Sequence, residues 1–147
     1  MTDLDAALTQ FEKAVLSPVV PGELPEWTAE AFYSTEELQT ALAENAKSVH
    51  DEVYETIAAA DPEMLPKGAQ LQAEDGAINK STHEVLEIAK TMRTLAGSVD
   101  SDEEKARKPL DGFLTAAAAL LIRVKKQELA IEVWLRESQT RDRGVKD

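Results

Sequence analysis

The chain has 147 residues, with 28 acids against 16 Lys and Arg, a net charge of −12 and no cysteine. That length suits one domain, in which about 68–70% of the unfolded chain's surface can be buried without covalent staples. The missing Cys excludes disulfides and thiolate metal sites, and the negative balance disfavours nucleic acid and anionic membranes, which need a clustered positive field.

The longest apolar run, Ala116 to Ile122, is too short to cross a bilayer. The opening MTDLDAALTQ carries acids where a signal peptide would carry Lys or Arg. A cytoplasmic protein is therefore expected, with neither nucleic acid nor membrane as a partner.

A first, short helix is expected from about Asp3 to Leu16, capped by Thr2 and carrying the stripe Leu4, Leu8, Phe11, Val15. Ser17-Pro18 stops it, because proline disfavours helical geometry in the residue before it. Residues 17–34, with Pro18, Pro21, Gly22 and Pro25, read as a long irregular first connection draped over the rest by its hydrophobes, with a helical turn near 26–32. Trp27 and Phe32 within it, together with Trp134, are candidates for covering a partner surface.

The capping box Ser34-x-x-Glu37 predicts the start of a second helix that runs to about Ala60 on Leu38, Leu42, Ala46, Val49, Val53 and Ile57. Asp61-Pro62 closes it, and Pro66 marks a second break. The third helix, about Lys67 to Gly97, repeats Leu71, Ile78, Val85, Met92 and Val99 at seven-residue spacing. Its companion seam reads Glu74, Ser81, Ile88, Leu95, so its first half turns polar groups inward, and Gly76, Asn79, Ser81 and Thr82 invite a bend.

Ser101-x-x-Glu104 is a further capping box, and Pro109 implies a kink or a separate short helix at 102–108. The last long helix, Leu110 to Arg141, shows the seam Leu110, Leu114, Ala117, Leu121, Val124, Glu128, Ile131, Leu135, with residues 141–147 a frayed tail. Glu128 is the one carboxylate in a place the pattern reserves for a hydrophobe. The whole is an all-α, up-down four-helix bundle, residues 1–147 forming a single domain.

If the second and third helices turn near residue 63, and the third and fourth near 104, then His50, Glu74, Asp75, Ser81, Glu128 and Glu132 fall in adjacent layers. One histidine among carboxylates from facing helices is the composition of an iron, manganese or zinc site, so His50, Glu74, Asp75, Glu128 and Glu132 are candidate ligands. The alternative is a structural polar cluster, with a Glu turned outward along its stem or paired with Lys125 or Lys126. His83 lies nearly opposite Val85, on an exposed face. No nucleophile–base pair and no Gly-rich phosphate loop stand out.

Residues 36–137 resemble a hemerythrin-like (HHE cation-binding) four-helix bundle. Leu71-Gln-Ala-Glu74-Asp75 matches the Leu-x-x-Glu-His start of that family's third helix, with Asp75 in the place of His. Val124-Lys-Lys-Gln-Glu128 matches its His-x-x-x-Glu segment, with Val124 in the place of His. His50 can stand for a third family position, but Tyr54 replaces the Glu expected four residues later. The resemblance implies the bundle fold in a degenerate member that has lost most ligands of a di-iron site.

The expectation is thus a non-catalytic, soluble binding or regulatory module without a cofactor, forming a homodimer or meeting a protein partner. The rival is a carboxylate-rich bundle that binds a divalent metal.

Overall fold

The computed structural model describes residues 4–97 and 103–146, and all regular structure among them is helical. Helix α1 spans Leu4–Leu16 and buries the expected stripe of Leu4, Leu8, Phe11 and Val15. It ends where Ser17 returns both its backbone N–H (3.1 Å) and its hydroxyl (2.7 Å) to the carbonyl of Lys13.

The irregular connection is much shorter than residues 17–34. Helix α2, Leu24–Asn45, begins with Pro25 in its first turn, so the connection is only 17–23, with its reversal at Gly22 (φ 89°). Pro25 opens a helix here because its missing N–H is one the first turn would leave unpaired anyway. Ser34 is therefore mid-helix and does not cap. Its hydroxyl and that of Thr35 donate back to the carbonyl of Ala31, at 3.2 and 2.6 Å, which satisfies both inside the core.

At Ala46–His50 the helix passes through one π turn, and α3 then continues over Asp51–Ala60. Counted as one rod from Leu24 to Ala60, this leaves four helices among the described residues. A 3-10 turn at Pro62–Met64 leads into α4, Leu65–Gly97, with Pro66 in its first turn rather than at a break. Helix α5, Glu103–Lys146, is not divided at Pro109; the carbonyl that loses its partner there belongs to the exposed Lys105. The predicted caps Thr2 and Ser101 and the seam residue Val99 lie outside the described residues.

Helix α2 packs on α1 and α4, and α4 on α5. The α4–α5 pair is antiparallel: Lys67 meets Glu137, Asp75 meets Gln127 and Ser81 meets Arg123. The rod and α4 also run antiparallel, since Tyr33 meets Arg93 while His50 meets Asp75.

The apolar interior is divided. A large cluster includes Phe11, Leu38, Ile78, Met92, Phe113 and Val124. A smaller one holds Tyr54, Ile57, Met64, Ile131 and Trp134. In sequence, His50, Asp75 and Gln127 each fall between members of the two, so a polar layer separates them. No helix of the described residues is long and apolar enough to cross a membrane.

Candidate functional site

The polar layer is centred on His50, which is only 2% exposed. Three elements deliver its partners: the π turn carries His50, α4 carries Asp75, and α5 carries Gln127 and Glu128. The wider winding of a π turn shifts the residues that follow it around the helix axis, and such turns recur at functional positions.

His50 Nδ1 lies 2.7 Å from Asp75 Oδ1, and its Nε2 lies 2.8 Å from Glu128 Oε1. A ring nitrogen facing a carboxylate this closely must carry a proton, since two lone pairs would otherwise be opposed. With both nitrogens so placed, the ring is an imidazolium held between two carboxylates. Burial opposes the charge, but the hydrogen bonds to Asp75 and then Glu128, together with both negative charges, push the His50 pKa up to about 9.

Asp75 is the better enclosed of the two carboxylates, its side chain 13% exposed against 38% for Glu128. Besides His50, it accepts from Gln127 Nε2 at 2.7 Å and from the Tyr54 hydroxyl at 3.1 Å. Gln127 also donates to the carbonyl of Leu71 at 3.1 Å, tying α5 to α4 through its backbone. Burial, and then the charge and hydrogen bond of Asp75, raise the Tyr54 hydroxyl pKa far above its ordinary value, so it acts only as a donor. Asn45 Nδ2 donates to Glu128 Oε1 at 3.4 Å and lies 2.9 Å from His50 Nε2.

Of the five candidate ligands, His50, Asp75 and Glu128 meet, and the other two do not join them. Glu74 is bound by Arg123 at 2.6 Å, and Glu132 by Arg136 on its own helix at 2.6 Å. Among the described residues, no group of three or more His, Asp or Glu side chains is arranged to hold a metal ion. A histidine ligates a metal through a ring-nitrogen lone pair, and here both nitrogens of His50 face carboxylates at hydrogen-bond distance. With Glu74 and Glu132 turned to arginines, the five residues do not come together as the expected ligand set.

The α5 seam also differs from the expected one. Leu110, Ala117, Leu121, Val124 and Ile131 are buried as expected, but Phe113, Leu120, Gln127 and Trp134 are buried beside them, so Gln127 is a polar residue of the core face and Glu128 stands half-exposed beside it. The core face is wide enough to take both Leu120 and Leu121, and a seam drawn through Leu121 and Leu135 alone passes over Gln127 and Trp134.

Helical spacing alone does not single out Asn45, Tyr54 or Gln127 as members of the site. A polar residue on a core stripe is the available signal for Tyr54 and Gln127; Asn45 gives none. The aromatics expected to cover a partner lie mostly inside. Trp27 is 8% and Trp134 0% exposed, so neither can cover a partner. Trp27 donates to the Ser17 carbonyl at 2.9 Å and stands edge-on to Phe113. Phe32 is half-buried under the Arg93 guanidinium, 4.9 Å from its ring centroid.

Glu128 opens into a groove of about 690 Å³ between α1, the π turn with α3, and α5. Its walls include Leu8, Val53 and Ile131, and the exposed Val49 and Leu129 stand at its mouth. Asp5, Glu12 and Glu132 supply further carboxylates, against Lys125, which is itself paired to Glu12 at 3.0 Å, and the His50 ring at the groove's floor.

No protein-family model, curated protein or solved structure matches the chain.

Proposed function

We propose that the protein is a cytoplasmic, non-catalytic up-down four-helix bundle that works by binding a basic amphipathic helix of a partner protein in the groove above Glu128. The observation that carries the non-catalytic half is the closed Asp75–His50–Glu128 triad. A histidine acting as general base needs a free ring-nitrogen lone pair. This ring, with both nitrogens against carboxylates, offers none near neutral pH, while Asp75 is taken up by His50, Gln127 and Tyr54. The resemblance to hemerythrin-like bundles fits the same reading: at the positions where that family holds cations, a protonated side chain stands between the carboxylates instead.

The groove supports the binding half. It is apolar within, and exposed apolar side chains flank it at Val49 and Leu129, with Val133 one turn further along α5. Its four carboxylates outnumber Lys125 and the His50 imidazolium. An apolar stripe edged with Lys or Arg complements this, and docking by i, i+3, i+4 anchors is a common mode. A second copy is the poorer occupant, since two chains of net charge −12 repel.

The test is a titration with two synthetic helical peptides of equal hydrophobicity, one Leu/Lys and one Leu/Glu, followed by NMR. The Leu/Lys peptide should bind, weaken as salt rises, and shift the signals of Val49, Leu129 and Val133; the Leu/Glu peptide should not. Equal binding of both peptides, or of neither, would reject the groove reading. Light scattering should show a monomer without peptide. An increase in Tm on adding iron, manganese or zinc would show instead that the native chain holds a metal.

A further inference from the structure

The polar layer does not balance its own charge. Asp75 and Glu128 carry one negative charge each, and the His50 imidazolium between them cancels only one. We infer that the partner supplies the other counter-charge: its helix carries one Lys or Arg inside its apolar stripe, which pairs with Glu128 and fixes where the helix sits in the groove. The inference rests on the groove reading above and adds to it the residue that reads the partner.

The excess charge is reachable only at Glu128. Asp75 is enclosed and already accepts from His50, Gln127 and Tyr54. Glu128 is the open end of the layer. Its Oε1 meets His50 Nε2 and the Asn45 amide, while its Oε2 has no hydrogen-bond partner among the described residues. The side chain is half-exposed and lines the groove. The other groove carboxylates differ. Glu12 is held by Lys125 at 3.0 Å and Glu132 by Arg136 at 2.6 Å, so a cation of this chain already neutralises each. Asp5 stands exposed on the first turn of α1, where water and salt screen it.

The surroundings of Glu128 make the pairing selective. Leu8, Val53 and Ile131 line the groove with it, so a helix seated on them covers Glu128 as well. A carboxylate covered by hydrocarbon without a cation is costly. A leucine opposite Glu128 is therefore disfavoured there, although leucine is the better anchor along the rest of the groove. A Lys or Arg can lay its methylene stem on the apolar walls and bring its charge to Oε2. One polar position within an apolar seam is also a known way for paired helices to fix their register. His50 supports the arrangement from behind, because its 2.8 Å contact with Oε1 holds the carboxylate at this place in the groove.

Three short helical peptides of identical composition, each a leucine stripe edged by lysines, provide the test by isothermal titration calorimetry. In the first, every lysine lies on the edges. In the second, the central leucine of the stripe has changed places with an edge lysine. In the third, the exchange is made at the last stripe position, where no slide brings the lysine to Glu128 without uncovering the groove. The second peptide should bind the wild-type chain roughly tenfold more tightly than the first and the third. In Glu128→Gln the order should reverse, because the inward lysine then has no partner and has displaced a leucine. The wild-type comparison stands by itself should the variant fail to fold. Equal or tighter binding of the first or third peptide to the wild type would overturn the inference and leave the groove reading in place. So would an unchanged preference in the variant. Failure of all three to bind would remove the groove reading and this inference together.

Discussion

Raising the pH from 6.5 to 9 should strip away the contribution of His50 to folding. The folded-state pKa is about 9 against an ordinary value of 6.5. Between those values the native chain binds a proton that the unfolded chain has released, so stability falls as pH rises. At ~1.36 kcal/mol per pH unit, the whole window is worth about 3 kcal/mol. The contribution is fully present below pH 6.5 and gone once pH has passed through 9. For a chain of this size that corresponds to roughly 6–12 °C in Tm. The assay is urea unfolding at half-unit steps from pH 6 to 10, with His50→Gln measured alongside. The variant removes the slope that belongs to His50 and keeps the general repulsion of an acidic chain, so the difference between the curves isolates the triad. NMR of the wild-type ring gives an independent reading if the variant unfolds. A His50 ring that loses its proton below pH 7, or parallel curves for the two proteins, would refute the imidazolium assignment and the non-catalytic reading built on it.

Other outcomes follow from the same geometry. Asp75→Asn should destabilise by about 3 kcal/mol in urea unfolding, the range for breaking a buried charged pair, because it removes the better enclosed negative charge beside His50 and leaves one amide oxygen for the three donors that met the carboxylate. Glu128→Gln should cost clearly less, about 1 kcal/mol, since solvent reaches that carboxylate. Gly68→Ala should destabilise by roughly 1–3 kcal/mol, because the new methyl meets Trp134 at 3.0 Å; near-ultraviolet circular dichroism should show the indole displaced. Lys67→Ala, which removes an exposed pair with Glu137, should change stability by less than about 0.5 kcal/mol.

Much of the helical plan is legible in the sequence because periodicity and proline placement are local signals. The stripe of α1 and the ends near Leu16 and Ala60 follow from them directly. Other local signals mislead. Pro25 marks a helix start as readily as a loop, and Ser34-x-x-Glu37 has the form of a cap whether or not the chain is already helical, so residues 24–34 read as irregular although they are helical. The site is partly legible. Matching the levels of antiparallel helices brings His50, Asp75 and Glu128 into one layer, as they are in the structure. It groups Glu74 and Glu132 with them because level says nothing about direction around the axis, and each of these turns to a neighbouring arginine. The π turn, which alters the facing of His50, has no sequence signature that hydrophobic spacing could reveal.

The polar layer also selects the alignment of the helices. Around Ala116–Ala119 the α5 surface is nearly featureless, and small side chains would let it slide a turn along α4 with little change in contact. Such a slip would carry Gln127 and Glu128 about 5.4 Å from their partners, leaving a buried cation and an enclosed carboxylate opposite hydrocarbon. The triad then acts as a key cut for one position of the lock. Its value to the molecule lies less in raw stability than in forbidding the neighbouring registers that oil alone would accept.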